Sequence, residues 1–150
     1  MPFVYAAKFV CGSFGSAQTP PTEEGPVEPG NYATAINIHN PSPRNTVSFT
    51  KKAVLLFSVA EKDVGPETPR RPGLPVQAEL EPDWGMEIDG PDIRDVLLRP
   101  GPQAPAFIKG WVVIESPDFP LDVVAVYTVQ ALGGAGGVSI AIDRVTATQV

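Results

Sequence analysis

The chain has 150 residues, enough for one domain with a real core and no need of disulfide or metal support. Hydrophobic residues make up 43% and charged residues 19%, which excludes general disorder, and 18 prolines with 14 glycines interrupt every stretch before a long helix can form. A net charge of −6 and a pI near 4.7 speak against a nucleic-acid partner or docking on anionic lipid.

The opening Met1-Pro2-Phe3-Val4-Tyr5-Ala6-Ala7-Lys8 has no basic n-region, no continuous apolar core and no cleavage site. No apolar run approaches the roughly 20 residues needed to span a bilayer. A cytoplasmic protein without membrane insertion is the expectation. Phe3–Gly12 is a first strand, and Ser13–Gly30, centred on Thr19-Pro20-Pro21-Thr22-Glu23-Glu24-Gly25-Pro26, is a long surface loop. Tyr32–Asn40 alternates cleanly, with Tyr32, Thr34, Ile36 and Ile38 inward. Asn40-Pro41-Ser42-Pro43-Arg44-Asn45 supplies turn chemistry. Thr46–Val59 is the third strand, with Val47, Phe49, Ala53, Leu55, Phe57 and Val59 on one side.

Glu61–Pro75 is a second irregular segment, rich in proline. Val76–Leu80 and Trp84–Ile88 read as short strands separated by Glu81-Pro82-Asp83. Asp92–Leu98 is the one helical stretch: Asp89 or the glycine after it caps it, Pro91 suits its first position, and Ile93, Val96 and Leu97 form its apolar stripe. Arg99-Pro100-Gly101-Pro102 stops it. Phe107–Val129 then holds two runs dense in β-branched and aromatic residues around Ser116-Pro117-Asp118-Phe119-Pro120, the composition of two strands in a hairpin-like connection. Gly133-Gly134-Ala135-Gly136-Gly137 enters a strand and not a helix, so it is a hairpin tip and not a phosphate-cradling loop. Val138–Val145 closes the chain, with Val138, Ile140 and Ile142 inward.

Residues that could carry chemistry are sparse. His39 is the single histidine and Cys11 the single cysteine, too few for a zinc site, and no Gly-X-Ser-X-Gly elbow accompanies them. Cys11 reads as a small buried strand residue, with a reactive or intermolecular thiol as the sharper alternative. Glu79, Glu81, Asp83, Glu87, Asp89, Asp92 and Asp95 crowd one segment but contain no Asp-X-Asp-X-Asp-Gly calcium loop. No metal or other cofactor is expected. Apolar residues occupy both faces of the two central runs, and with one short helix available their second face needs cover from another subunit. Trp111, Val113, Val124 and Val126 are the candidate subunit interface. His39, Asn40 and Trp84 are the candidate ligand loop, since an aromatic beside Asn and Asp suits sugar stacking.

Tyr5–Gly12, Pro29–Pro41, Phe107–Ser116 and Leu121–Thr128 together resemble a family of small uncharacterised bacterial proteins. More loosely, an Asn-rich strand followed by a second strand, and a short acidic stretch leading into a strand pair with a Leu-Asp turn, is similar in pattern to the soluble transducer of bacterial sensory rhodopsin. That resemblance implies a β-sandwich that forms oligomers, and implies no functional residue.

The expected architecture is a single all-β domain over residues 1–150, an antiparallel β-sandwich of about seven to eight strands with one short helix. The expected function is non-enzymatic: a self-associating structural or protein-binding module, a homo-oligomer open to a protein partner. A small-molecule or carbohydrate-binding sandwich is the alternative.

Overall fold

A computed structural model of the chain describes residues 1–15, 27–58, 69–98, 107–132 and 136–150. The expected loop around Thr19–Pro26, most of Glu61–Pro75, the helix stop at Arg99–Pro102 and the centre of the glycine run lie outside those residues. Nine strands are present among them: β1 (Phe3–Phe14), β2 (Gly30–His39), β3 (Val47–Ser58), β4 (Val76–Leu80), β5 (Gly85–Ile88), β6 (Phe107–Ser116), β7 (Asp122–Gln130), β8 (Val138–Arg144) and β9 (Thr148–Gln149). Every pairing is antiparallel. The fold is an antiparallel β-sandwich whose strands form one path, β4-β3-β6-β1-β2-β7-β8, with β5 added to β2 and β9 to β1.

The path folds over at a corner. Ten residues of β1, Phe3 to Gly12, pair with β6, but only Gly12, Ser13 and Phe14 pair with β2. Gly12 has partners on both sides and a φ of +101°, a backbone that glycine adopts without steric cost. The first layer is therefore β4-β3-β6-β1 with β9, and the second is β5-β2-β7-β8. The two ends of the path, β4 and β8, are not paired with each other, so the sheet stays open.

Between the layers lies one core. Tyr5, Ala7, Phe9 and Cys11 of β1 and Ile108, Val112 and Ile114 of β6 meet Ile36 and Ile38 of β2 and Val123 and Ala125 of β7, all buried. The inward row of β2 is as the alternation predicts. Along the side of β1 away from β6, where it has no strand between Tyr5 and Cys11, side-chain hydroxyls bridge the layers. Thr34 Oγ1 accepts from the Val10 amide and donates to its carbonyl, both at 2.9 Å; Tyr127 donates to the Lys8 carbonyl at 3.0 Å, and Tyr5 accepts from the Leu121 amide at 2.7 Å.

Three local expectations change. The two central runs are both strands, but they do not form a hairpin: β6 pairs with β1 and β3, whereas β7 pairs with β2 and β8. Pro117 and Pro120 remove two amides that a tight ladder would need, and the Leu121 amide goes to Tyr5, so the connection crosses from layer to layer. The helical segment starts earlier, as α1 (Gly90–Asp92) followed by a π-helical turn, Ile93–Leu97, closed by the Leu98 amide on the Ile93 carbonyl at 2.8 Å. Asp89 caps it, accepting from the Asp92 amide at 3.1 Å while Asp92 accepts from the Asp89 amide at 3.2 Å. The wider turn buries Ile93 and Leu97 but leaves Val96 exposed. Third, β8 does not face inward, for a reason that belongs to the surface described next.

Candidate functional site

The ligand-loop residues come together at one end of the second layer. β2 ends at His39, and Asn40 follows it into the turn. The Asn40 amide donates to the Trp84 carbonyl at 2.9 Å, and its own carbonyl accepts from the Asp83 amide at 3.1 Å, which fixes the Glu81–Trp84 turn against the end of β2. Pro82 sets the second position of that turn, and Asp83 takes a φ of +62° at the third. The Asp83 carboxylate then lies 2.9 Å from His39 Nε2. On the other side, Asp122 Oδ2 is 3.7 Å from His39 Nδ1 and Asp122 Oδ1 is 3.6 Å from Arg144. A row of alternating acid and base thus crosses β2, β7 and β8.

This row has limited chemistry. Both ring nitrogens of His39 face a carboxylate, which leaves neither turned toward a substrate. Asn40 is fully buried, and its side-chain amide donates toward the carbonyls of Asn45, Leu80 and Glu81 at 2.8–3.0 Å while its oxygen accepts from the Ser42 amide at 3.0 Å. Its polar groups are used up in holding the turn. Trp84 alone of the three is widely exposed, at 61%.

The four interface candidates divide between the layers. Trp111 and Val113 lie on the outward row of β6, beside Lys8 and Ala6 of β1, and the Lys8 ammonium sits 4.9 Å from the centre of the Trp111 ring. Burial pushes the Lys8 pKa down, with Lys109 adding to the effect. Val124 and Val126 lie on the outward row of β7 and are half-buried. Their neighbours across the ladder are Asn37 and Ala35 of β2 and, on the far side, Arg144 and Ile142 of β8.

That far side carries a row of three exposed apolar side chains on one strand. Val138, Ile140 and Ile142 are 57%, 66% and 72% exposed, which overturns their expected inward placement. The alternation in β8 is present, but the opposite row of Ser139, Ala141 and Asp143 is exposed as well. β8 is the last strand of the path and extends past the cover of the first layer, so neither of its faces is the inside. Its outer edge has no strand partner among the described residues. Beside it, an apolar cavity of about 230 Å³ is lined by Tyr32, Tyr127, Val129, Ile140 and Ala141.

A second cavity, of about 360 Å³, opens between β1, β2 and α1 and includes Cys11, Thr34, Asp89 and Arg94. Burial pushes the Cys11 thiol up from its ordinary value of 9.0, while hydrogen bonding to Thr34 and the Arg94 charge pull less strongly the other way. A raised pKa keeps the thiol protonated near neutrality, the opposite of an activated nucleophile. Sequence reasoning placed Cys11 on the strand, but Arg94 carried no signal beyond its position in a helical stretch.

No protein-family model matches the chain, and no curated protein matches it. Among solved structures the chain is similar to Thermotoga maritima 1070, at 9% identity over 96% of this chain and 90% of that one, with a TM-score of 0.47. A likeness this slight carries no argument about function.

Proposed function

We propose that this chain is a non-catalytic structural subunit that assembles with copies of itself through β8, forming a module open to a protein partner. The observation that carries the reading is the free edge of β8 with Val138, Ile140 and Ile142 on its exposed face. An unpaired strand edge presents a row of backbone donors and acceptors, which a second chain satisfies by pairing. Soluble proteins guard such edges with charge or proline, and β8 has neither before Asp143. Two copies of β8 laid antiparallel about a two-fold axis normal to the sheet would pair their edges and set the two apolar rows side by side on one face, where they shield each other from the flank. Val124 and Val126 border this face on β7 and extend it; Trp111 and Val113 belong to the other layer and stand apart.

The resemblance in pattern to the soluble sensory rhodopsin transducer, whose family forms β-sandwich oligomers, is in keeping with this reading. So is the lack of a nucleic-acid role, which rests on the net charge of −6, and a cytoplasmic setting belongs to the same reading; no helix among the described residues is long and apolar enough to cross a membrane. The alternative, a carbohydrate or small-molecule site at His39, Asn40 and Trp84, draws support from the exposed Trp84 ring beside Asp83. It has less behind it, because the polar groups of Asn40 and both nitrogens of His39 already have partners.

Light scattering on the purified chain tests the proposal. At micromolar concentration the mass should be a multiple of 15.9 kDa. The double variant Ile140→Lys, Ile142→Lys should return it to the single-chain mass and still unfold cooperatively, at a Tm lower only by what assembly contributes, because both side chains are solvated in the isolated subunit. A wild-type monomer, or a double variant that keeps the assembled mass, refutes it.

A further inference from the structure

The cavity between β1, β2 and α1 exists because β2 lacks a neighbour along part of one edge. β1 pairs with β2 only at residues 30–32 and β5 only at 36–39, and the stretch between them has no ladder partner on that side. Ala33, Ala35 and Val126 contribute apolar lining there, and the α1 segment brings Asp89, Gly90 and Arg94. Gly90 permits the close approach: a Cβ at that position would sit 3.2 Å from Arg94 Nη1 and 3.6 Å from the Cys11 sulfur.

The polar groups of the cavity differ in what they have left to give. The Thr34 hydroxyl is bound to both backbone groups of Val10, and Asp89 is engaged by the Asp92 amide in the helix cap. Arg94 is different. Its Nε is buried and has no hydrogen-bond partner, and among the described residues no carboxylate pairs with its guanidinium. A buried donor without an acceptor is costly and rare in folded proteins. A guanidinium offers its donors as a planar fork that matches the two oxygens of a carboxylate. The volume of about 360 Å³ falls in the range of small-molecule sites.

We propose that this cavity binds a small organic carboxylate, with the carboxylate group on Arg94 and its apolar body against Ala33, Ala35 and Val126. The Arg94 pole of the site is separate from the assembly edge, because β7 lies between β2 and β8, although Val126 of β7 borders both. Carboxylate recognition by Arg94 therefore stands or falls independently of self-association.

The test uses the full chain with four probes of defined chemistry: benzoate, benzyl alcohol, benzylamine and inorganic phosphate. Millimolar benzoate should raise Tm and shift the Nε–H resonance of Arg94 in the ¹⁵N-labelled protein, and benzyl alcohol should do neither. Arg94→Gln should weaken benzoate about tenfold or more, as expected for loss of a charge-assisted pair. Ala35→Phe fills the cavity from β2 without altering the guanidinium, and should also abolish the response, so the outcome does not hang on one variant folding. Benzylamine binding better than benzoate would make Asp89 the recognised pole and overturn the proposal. Phosphate binding as well as benzoate would remove the role of the apolar lining and overturn it too. So would benzoate affinity unchanged in either variant, or no response to millimolar benzoate at all.

Discussion

The hydroxyl of Thr34 sits 2.9 Å from both the amide and the carbonyl of Val10, at a place where β1 is paired with β6 on one side and has no strand on the other. One side chain thus supplies the donor and the acceptor that a neighbouring backbone would otherwise provide. Thr34→Val keeps the shape and removes both bonds, leaving two buried backbone groups unpaired, and should cost about 2–3 kcal/mol. Thr34→Ser keeps the hydroxyl and should cost about 1 kcal/mol. Urea unfolding of the two variants checks this; a valine no worse than the serine would mean the hydroxyl does not bridge the layers. The alternation of β2 already placed Thr34 on the inward row, but periodicity carries no information about which backbone group a buried hydroxyl will meet. Asn40 makes the same point in reverse. Its place in a proline-rich turn gives it turn chemistry alone, whereas it is buried and holds, besides the Asn45 carbonyl of its own turn, the Leu80 and Glu81 carbonyls at the start of the β4–β5 connection. Contacts between residues some forty positions apart are set by the tertiary fold, and a turn signal is local.

At the scale of the element, composition located the strands well, because β-branched runs between proline and glycine punctuation can only be short and extended. Val76–Leu80 is observed with the expected bounds, and the inward row of β2 follows its alternation. What composition did not give was which strands are neighbours or which row of a terminal strand is covered. Alternation distinguishes two faces and cannot say which is inside, and in β8 the apolar row that the alternation predicts to be buried has nothing above it. Gly110 illustrates a constraint that the strand pattern hides. It lies in the middle of β6, opposite Phe9 on one side and Leu55 on the other, where a glycine would ordinarily weaken the sheet. A Cβ at this position would fall 2.0 Å from the Val54 carbonyl oxygen and 2.8 Å from the ring of Phe9. The ladder is irregular just there, between Leu55 and Phe57, so β3 comes closer than a side chain would allow. Gly110→Ala should therefore destabilise by roughly 1–3 kcal/mol despite alanine's better fit to a regular strand. A urea midpoint equal to wild type would show that β3 does not press on β6 in this way.

Taken as a whole molecule, the two layers share one core and are joined by buried hydroxyl and thiol groups, which couples stability to alkaline pH. Burial is the main cause that raises Tyr5, Tyr32 and Tyr127 above 10.0 and Cys11 above 9.0. For such groups the folded state holds its proton after the unfolded state has begun to lose it, so stability falls as pH rises from the unfolded value through the raised folded one. Lys8 and Lys51 act in the other direction. Burial lowers both from 10.5, and their contribution to stability increases as pH climbs through the lowered folded value toward 10.5. A single variant isolates the earliest of the opposing effects. Cys11→Ala removes a buried side chain and should be less stable near neutrality by about 1 kcal/mol. It also removes the group whose unfolded form ionises first, so the stability deficit relative to wild type should shrink steadily above pH 9.0. Wild-type and variant urea midpoints measured at closely spaced pH values read this directly. Two parallel curves would mean that the thiol ionises as readily in the fold as out of it, and that the joint between β1, β2 and α1 is far wetter than the packing of Gly90 on Cys11 implies.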